Sequence, residues 1–121
     1  MRSHVLALLC DDLLASVLEK KLAGRNFSVA MTSSLEELER KAMRRKPQAL
    51  LVDIECAIDL VSLYRHLVSL PTLQHVQLFF YAKRLRPADR FALKRTEYAE
   101  LFSGPHTSPS EIAQRIAKAL A

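Results

Sequence analysis

Five short, unbroken apolar runs, each followed by a stretch with helical spacing, constrain the fold of this chain more than any other feature of its sequence. The runs are HVLALLC (4–10), FSVAM (27–31), ALLVDI (49–54), VQLFFYA (76–82) and AELFS (99–103). A strand with one wet face alternates apolar and polar residues, whereas a run apolar throughout belongs to a strand covered on both faces. The stretches between carry the 3.6-residue period instead. Leu14, Val17, Leu18, Lys21 and Leu22 make one stripe; Leu35, Leu38, Ala42 and Met43 make another. Strands alternating with helices predict a parallel sheet with right-handed crossovers and helices on both faces, a doubly wound α/β fold.

Helix boundaries are written into the same sequence. Ser34 is expected to cap the second helix, with Glu37 three residues on completing a capping box. Pro87 stands in the first turn of RPADRFALKR, where its missing N–H costs nothing. Ser108, Pro109 and Glu111 repeat both devices, and Gly24 is expected to close the first helix in the left-handed conformation. The 121 residues suffice for one domain. Half of them are apolar, and only two are Gly and five Pro, which excludes a disordered or low-complexity chain. No run approaches the ~18 apolar residues of a membrane span. MRSHVLALLCDDLL reads as a strand and not as a signal peptide, so a cytoplasmic protein without membrane contact is expected.

Acid gathers at the ends of the buried runs. Asp11 and Asp12 follow the first, and Asp53 lies within the end of the third. Open parallel sheets bind ligands beyond the carboxyl ends of their strands. Three carboxylates on one rim repel one another unless they share a proton or a cation. Oxygen ligands with room for water suit Mg²⁺ better than zinc. A competing reading is local: Asp11 or Asp12 can cap a helix starting at Leu13.

The order of these pieces resembles a response-regulator receiver domain of two-component signalling, in a divergent form. VLALLCDD matches the first strand with its acidic pair, LAGRNFSV the turn into the second, and KPQALLVDI the strand that bears the phosphoacceptor. VQLFFYA matches strand four, and LFSGP strand five with its proline. The resemblance implies one receiver-like domain over 1–121 with strand order 2-1-3-4-5. It also implies phosphorylation of Asp53 by a histidine kinase, with Mg²⁺ held by Asp11, Asp12 and Asp53. In the family, a hydroxyl residue after strand four and a lysine after strand five hold the phosphoryl oxygens, because charge developing there must meet fixed donors and cations.

Those two positions fall here on Tyr81 and Gly104. Each lost charge-assisted contact costs about 1.5–3 kcal/mol. The loop IECAIDLVSL also lacks the family's proline and Asp-Gly pair: Asp59 stands without a glycine, which weighs against metal ligation by the carbonyl near Glu55. The reading that follows is a bacterial pseudo-receiver, non-enzymatic, acting through protein–protein contacts, with weak or no aspartyl phosphorylation and weakly bound or no Mg²⁺. Its rival is a working phosphoacceptor, Asp53, with Tyr81 and Lys83 standing in for the missing groups. A phosphatase built on the strand-one aspartate is set aside, since Leu13 holds the position of its second acid.

The remaining features divide between structure and recognition. Cys10 and Cys56 flank the acidic rim; a redox pair or soft-metal site stands against the favoured reading of buried small hydrophobes in a reduced protein. His4, His66, His75 and His106 show no ligand spacing. Lys41, Arg44, Arg45 and Lys46 complement the end of the second helix. Lys83, Arg84, Arg86, Arg90, Lys94 and Arg95 gather around the fourth helix. By the resemblance, the face of helix four, strand five and helix five docks partners. Arg86, Arg90, Lys94 and Arg95 would there meet an acidic protein or a dimer mate, or form only a solvated face. The net charge of +5 admits nucleic acid as a third class of partner. No aromatics interleave with the basic residues, which argues against single-strand binding.

Overall fold

Among the described residues, five strands and five helices alternate along the chain as read from the sequence. The structure is a computed structural model that describes residues 2–56 and 60–121; Asp59 lies outside the described residues. The strands are β1 (His4–Leu8), β2 (Ser28–Thr32), β3 (Ala49–Asp53), β4 (Gln77–Ala82) and β5 (Glu100–Ser103). They form a parallel sheet in the order β2-β1-β3-β4-β5, as expected. The helices are α1 (Asp12–Gly24), α2 (Leu35–Arg44), α3 (Leu60–Ser69), α4 (Pro87–Leu93) and α5 (Pro109–Leu120). None of the described helices is long and apolar enough to cross a membrane.

The apolar runs are continuous because each strand feeds two cores. Val5, Ala7 and Leu9 pack with Leu51, Phe79 and Phe102 beneath Leu18 and Leu22 of α1 and Ile112 and Ile116 of α5. The alternate residues Leu6, Leu8, Leu50, Val52 and Phe80 face Leu38 of α2, Leu63 and Leu67 of α3, and Leu93 of α4. Burying each such side chain contributes about 1.5–3 kcal/mol. The two-residue pleat of the strand thus serves both layers at once.

Four local expectations are corrected. Gly24 ends α1 but no glycine has positive φ; Asn26 takes the left-handed position at φ 68°. The bonds there run from Asn26 N–H to the Ala23 carbonyl (3.0 Å) and from Phe27 N–H to the Leu22 carbonyl (3.2 Å). This is the paired closure of a Schellman motif, with Phe27 and Leu22 in the same core. Met43 is 75 % exposed, because the stripe of α2 that reaches the sheet is carried by Leu38 and Ala42. Ser34 accepts from Glu37 N–H, but the Glu37 carboxylate returns to Ser33 N–H and not to Ser34. Ser108 likewise accepts from Glu111 N–H, while the Glu111 carboxylate pairs with Arg115 one turn on.

Candidate functional site

β1 and β3 are neighbours, so the loops that leave their carboxyl ends share one rim of the sheet. Leu8 is the last residue of β1, and Asp11 N-caps α1, its Oδ1 accepting from Leu13 N–H (3.0 Å) and Leu14 N–H (3.1 Å). The capping role and the rim position therefore fall on one residue. Asp53 ends β3, pairs in register with Tyr81 of β4, and is 2 % exposed. Its Oδ1 accepts from Glu55 N–H at 2.9 Å and its Oδ2 from Cys10 N–H at 3.4 Å. Cys10, Asp11, Asp53, Glu55, Tyr81 and Lys83 line a cleft of about 270 Å³.

Asp12 is not among these residues: it is the exposed first residue of α1. Helix geometry explains the difference. With Asp11 as the N-cap, Asp12 is the first helical residue, about 100° further around the helix axis. Among the described residues, the acid that joins Asp11 and Asp53 at the cleft is instead Glu55, which also accepts from Arg84 N–H at 3.3 Å. Glu55 lies two residues past Asp53 in the same loop, and its acidity in that loop was the only signal available in the sequence.

Burial raises the Asp53 carboxyl above its ordinary range, and the nearby charges of Glu55 and Asp11 add to the rise. The two backbone N–H donors oppose it. Tyr81 is 7 % exposed, and its phenol is likewise pushed up, chiefly by burial and then by Asp53, Asp11 and Glu55. Oxygens of Asp53, Asp11 and Glu55 suit a hard divalent cation such as Mg²⁺, although one oxygen of Asp11 is already engaged by the helix.

Tyr81 and Gly104 are one packing unit. A Cβ on residue 104 would lie 2.7 Å from the Tyr81 hydroxyl, 3.3 Å from its Cζ and 3.0 Å from the Lys83 Cα. The tyrosine ring thus fills the space from which a side chain at position 104 would start. Gly104 is required here by contact and not by an unusual φ. Lys83 stands exposed at the edge of the cleft, with no ion pair to its acids. His106 is exposed in the loop after β5.

The favoured reading of the cysteines is overturned. Cys10 is exposed and Cys56 half-buried, and the two are joined in a disulfide with Cα atoms 5.8 Å apart. The pair weighed against that reading is the one formed: the adjacency of β1 and β3 brings together two cysteines 46 residues apart.

On the fourth helix, Arg86 is engaged within its own element. Its Nε and Nη2 donate to the two oxygens of the buried Asp89, at 2.9 and 3.1 Å. Arg90, Lys94 and Arg95 are exposed, and the Arg95 guanidinium lies 4.9 Å from the centroid of Phe91, itself 61 % exposed.

No family model and no curated relative matches the sequence. Solved structures match it from end to end. An orphan response regulator of H. pylori superposes with a TM-score of 0.83 at 17 % identity, covering 100 % of both chains. A putative response regulator from Chloroflexus aurantiacus gives 0.82 at 21 % identity, over 99 % of this chain and 98 % of that one. The receiver domain of a sensor histidine kinase from Pseudomonas aeruginosa, solved with a magnesium ion coordinated in its active site cleft, gives 0.80 at 18 % identity, over 98 % and 97 %. By strand order, helix placement and superposition, the fold of this chain is that of a response-regulator receiver domain.

Proposed function

We propose that this chain is a degenerate receiver, a non-enzymatic module that transmits signals through protein contacts, with aspartyl phosphorylation weak or absent. The observation that carries the reading is the contact between Tyr81 and Gly104. A receiver holds the phosphoryl oxygens with a small hydroxyl and a lysine; here a buried phenol fills the space in which that lysine side chain would begin. With neither group, charge developing on a phosphoryl group at Asp53 would face Glu55 and Asp11 with no buried cation to offset it. Asp53 with Asp11 would hold Mg²⁺ weakly, and the ion when bound would neutralise part of that charge.

A second reading has its own support. Tyr81 and Lys83 line the same cleft as Asp53, as an unorthodox phosphoacceptor site would need. Incubation with Mg²⁺ and acetyl phosphate, followed by intact mass, separates the two. The degenerate receiver gives no stable adduct under conditions that phosphorylate an ordinary receiver. An adduct that disappears in Asp53→Asn establishes the rival.

The surface around α4 supports an acidic protein as partner. Phe91 offers an exposed apolar anchor flanked by Arg90, Lys94 and Arg95. A second copy docking face to face would bring like charges together. Arg86 contributes less, since Asp89 already pairs with it. A cytoplasmic, bacterial setting suits such a module.

A further inference from the structure

The acidic cleft has a sulfur edge. Cys10 follows β1, and Cys56 lies in a 3-10 turn (Ile54–Cys56) after β3. The two sulfurs and a carboxylate oxygen of Asp53 all lie within 4.8 Å of one another. Asp53 is almost wholly buried, while Cys10 is exposed, so the cluster has a fixed oxygen donor inside and an entry path outside.

We propose that the reduced Cys10–Cys56 pair and Asp53 form a site for one thiophilic divalent cation of the zinc class. The inference stands on the placement of these three side chains and not on the signalling reading. Cα atoms 5.8 Å apart suit a disulfide, and the same short span lets the two thiols of the opened pair reach one ion. A thiol or phosphine reductant supplies the two electrons and is itself oxidised, while solvent supplies the protons of the two thiols. Metal binding then involves no electron transfer: each thiol loses its proton to solvent, and two S–metal bonds and one O–metal bond form.

The charge balance favours a cation over bare thiolates. Two thiolates and the Asp53 carboxylate would stand beside Glu55 and Asp11, whose charges already bear on Asp53. A disulfide, being neutral, gains nothing from a buried carboxylate at its side. Thiolate donors select zinc-like ions over Mg²⁺. Three protein ligands leave the fourth tetrahedral position to a water from the cleft.

The test uses the full chain, reduced with a phosphine and titrated with Zn²⁺ against a chromophoric chelator. One Zn²⁺ per chain is expected, with affinity falling about a hundredfold in Cys10→Ser and Cys56→Ser and about tenfold in Asp53→Asn. Co²⁺ added to the reduced wild type should produce a near-ultraviolet sulfur-to-cobalt band, a readout independent of how the variants fold. The oxidised wild type should bind Zn²⁺ far more weakly than the reduced chain. Absence of the cobalt band, no Zn²⁺ uptake by the reduced chain, or wild-type affinity in either cysteine variant would overturn the proposal.

Discussion

At Gly104 a single hydrogen in place of a side chain decides what the cleft can hold. A Cβ there meets the end of a rigid ring and a backbone carbon, neither of which yields cheaply. Gly104→Ala is therefore expected to destabilise the fold by about 1–3 kcal/mol in urea unfolding. Tyr81→Phe removes the nearest atom, so the double variant should recover part of that loss, a coupling of about 0.5–3 kcal/mol. Strictly additive losses would show that the ring and the glycine are not one unit. Asp53 carries the residue-scale pH dependence. Its folded pKa is raised above the ordinary 3.8, so the folded state binds its proton more tightly than the unfolded chain does. The associated stability is present below 3.8 and is lost as pH rises through the folded value. Asp53→Asn should gain on the wild type as pH rises from 3.8 through the folded value and keep that gain above it; urea midpoints that stay parallel from acid to neutral pH would contradict this. Asp53 and Asp11 were legible in the sequence because strand ends and helix caps are local. Glu55 and the closeness of Tyr81 to Gly104 were not, because both depend on how far a side chain reaches across the rim.

Among the elements, the close of α1 shows how a local signal can be misassigned by two positions. Gly24 looked like the natural terminator, yet the chain continues through Arg25 and turns at Asn26. The deciding factor is Phe27: the turn at Asn26 delivers its ring to the core that holds Leu22. Asn26→Ala is expected to cost about 1–2 kcal/mol in thermal or denaturant unfolding, since a Cβ without a polar side chain is poorly tolerated at positive φ. Asn26→Gly should lie within about 0.5 kcal/mol of the wild type. Equal losses in both variants would mean that the Asn side chain, and not the backbone conformation, matters there. On α4, the sequence gathers basic residues without distinguishing their tasks. The Arg86 guanidinium, though exposed, is paired with Asp89, whereas Arg90, Lys94 and Arg95 are exposed around Phe91 with Arg95 over its ring. Helical spacing can identify such a cluster, but the buried acid that claims one member is visible only in the fold.

For the molecule as a whole, the two-sided sheet is the source of stability. Phe102 of β5 is fully buried and stacks on Phe79 of β4 with centroids 5.8 Å apart and planes 7° from parallel. Phe102→Ala should cost about 3–5 kcal/mol, a large share of the roughly 5–15 kcal/mol that holds a domain of this size. A loss near 1 kcal/mol, read from the urea midpoint, would mean that the edge strand contributes little to the core. The sequence by itself determined the number and order of strands and helices, the burial of the sheet on both faces, and the acids at its carboxyl edge. Those properties follow from periodicities of two and 3.6 residues and from local capping, which act over a few positions. Tertiary structure alone decided that Cys10 meets Cys56, that Glu55 and not Asp12 faces the cleft, and that Tyr81 fills the space beside Gly104. Each of these is a contact between loops or strands far apart along the chain. Side-chain reach and strand adjacency set such contacts, and neither leaves a period in the sequence.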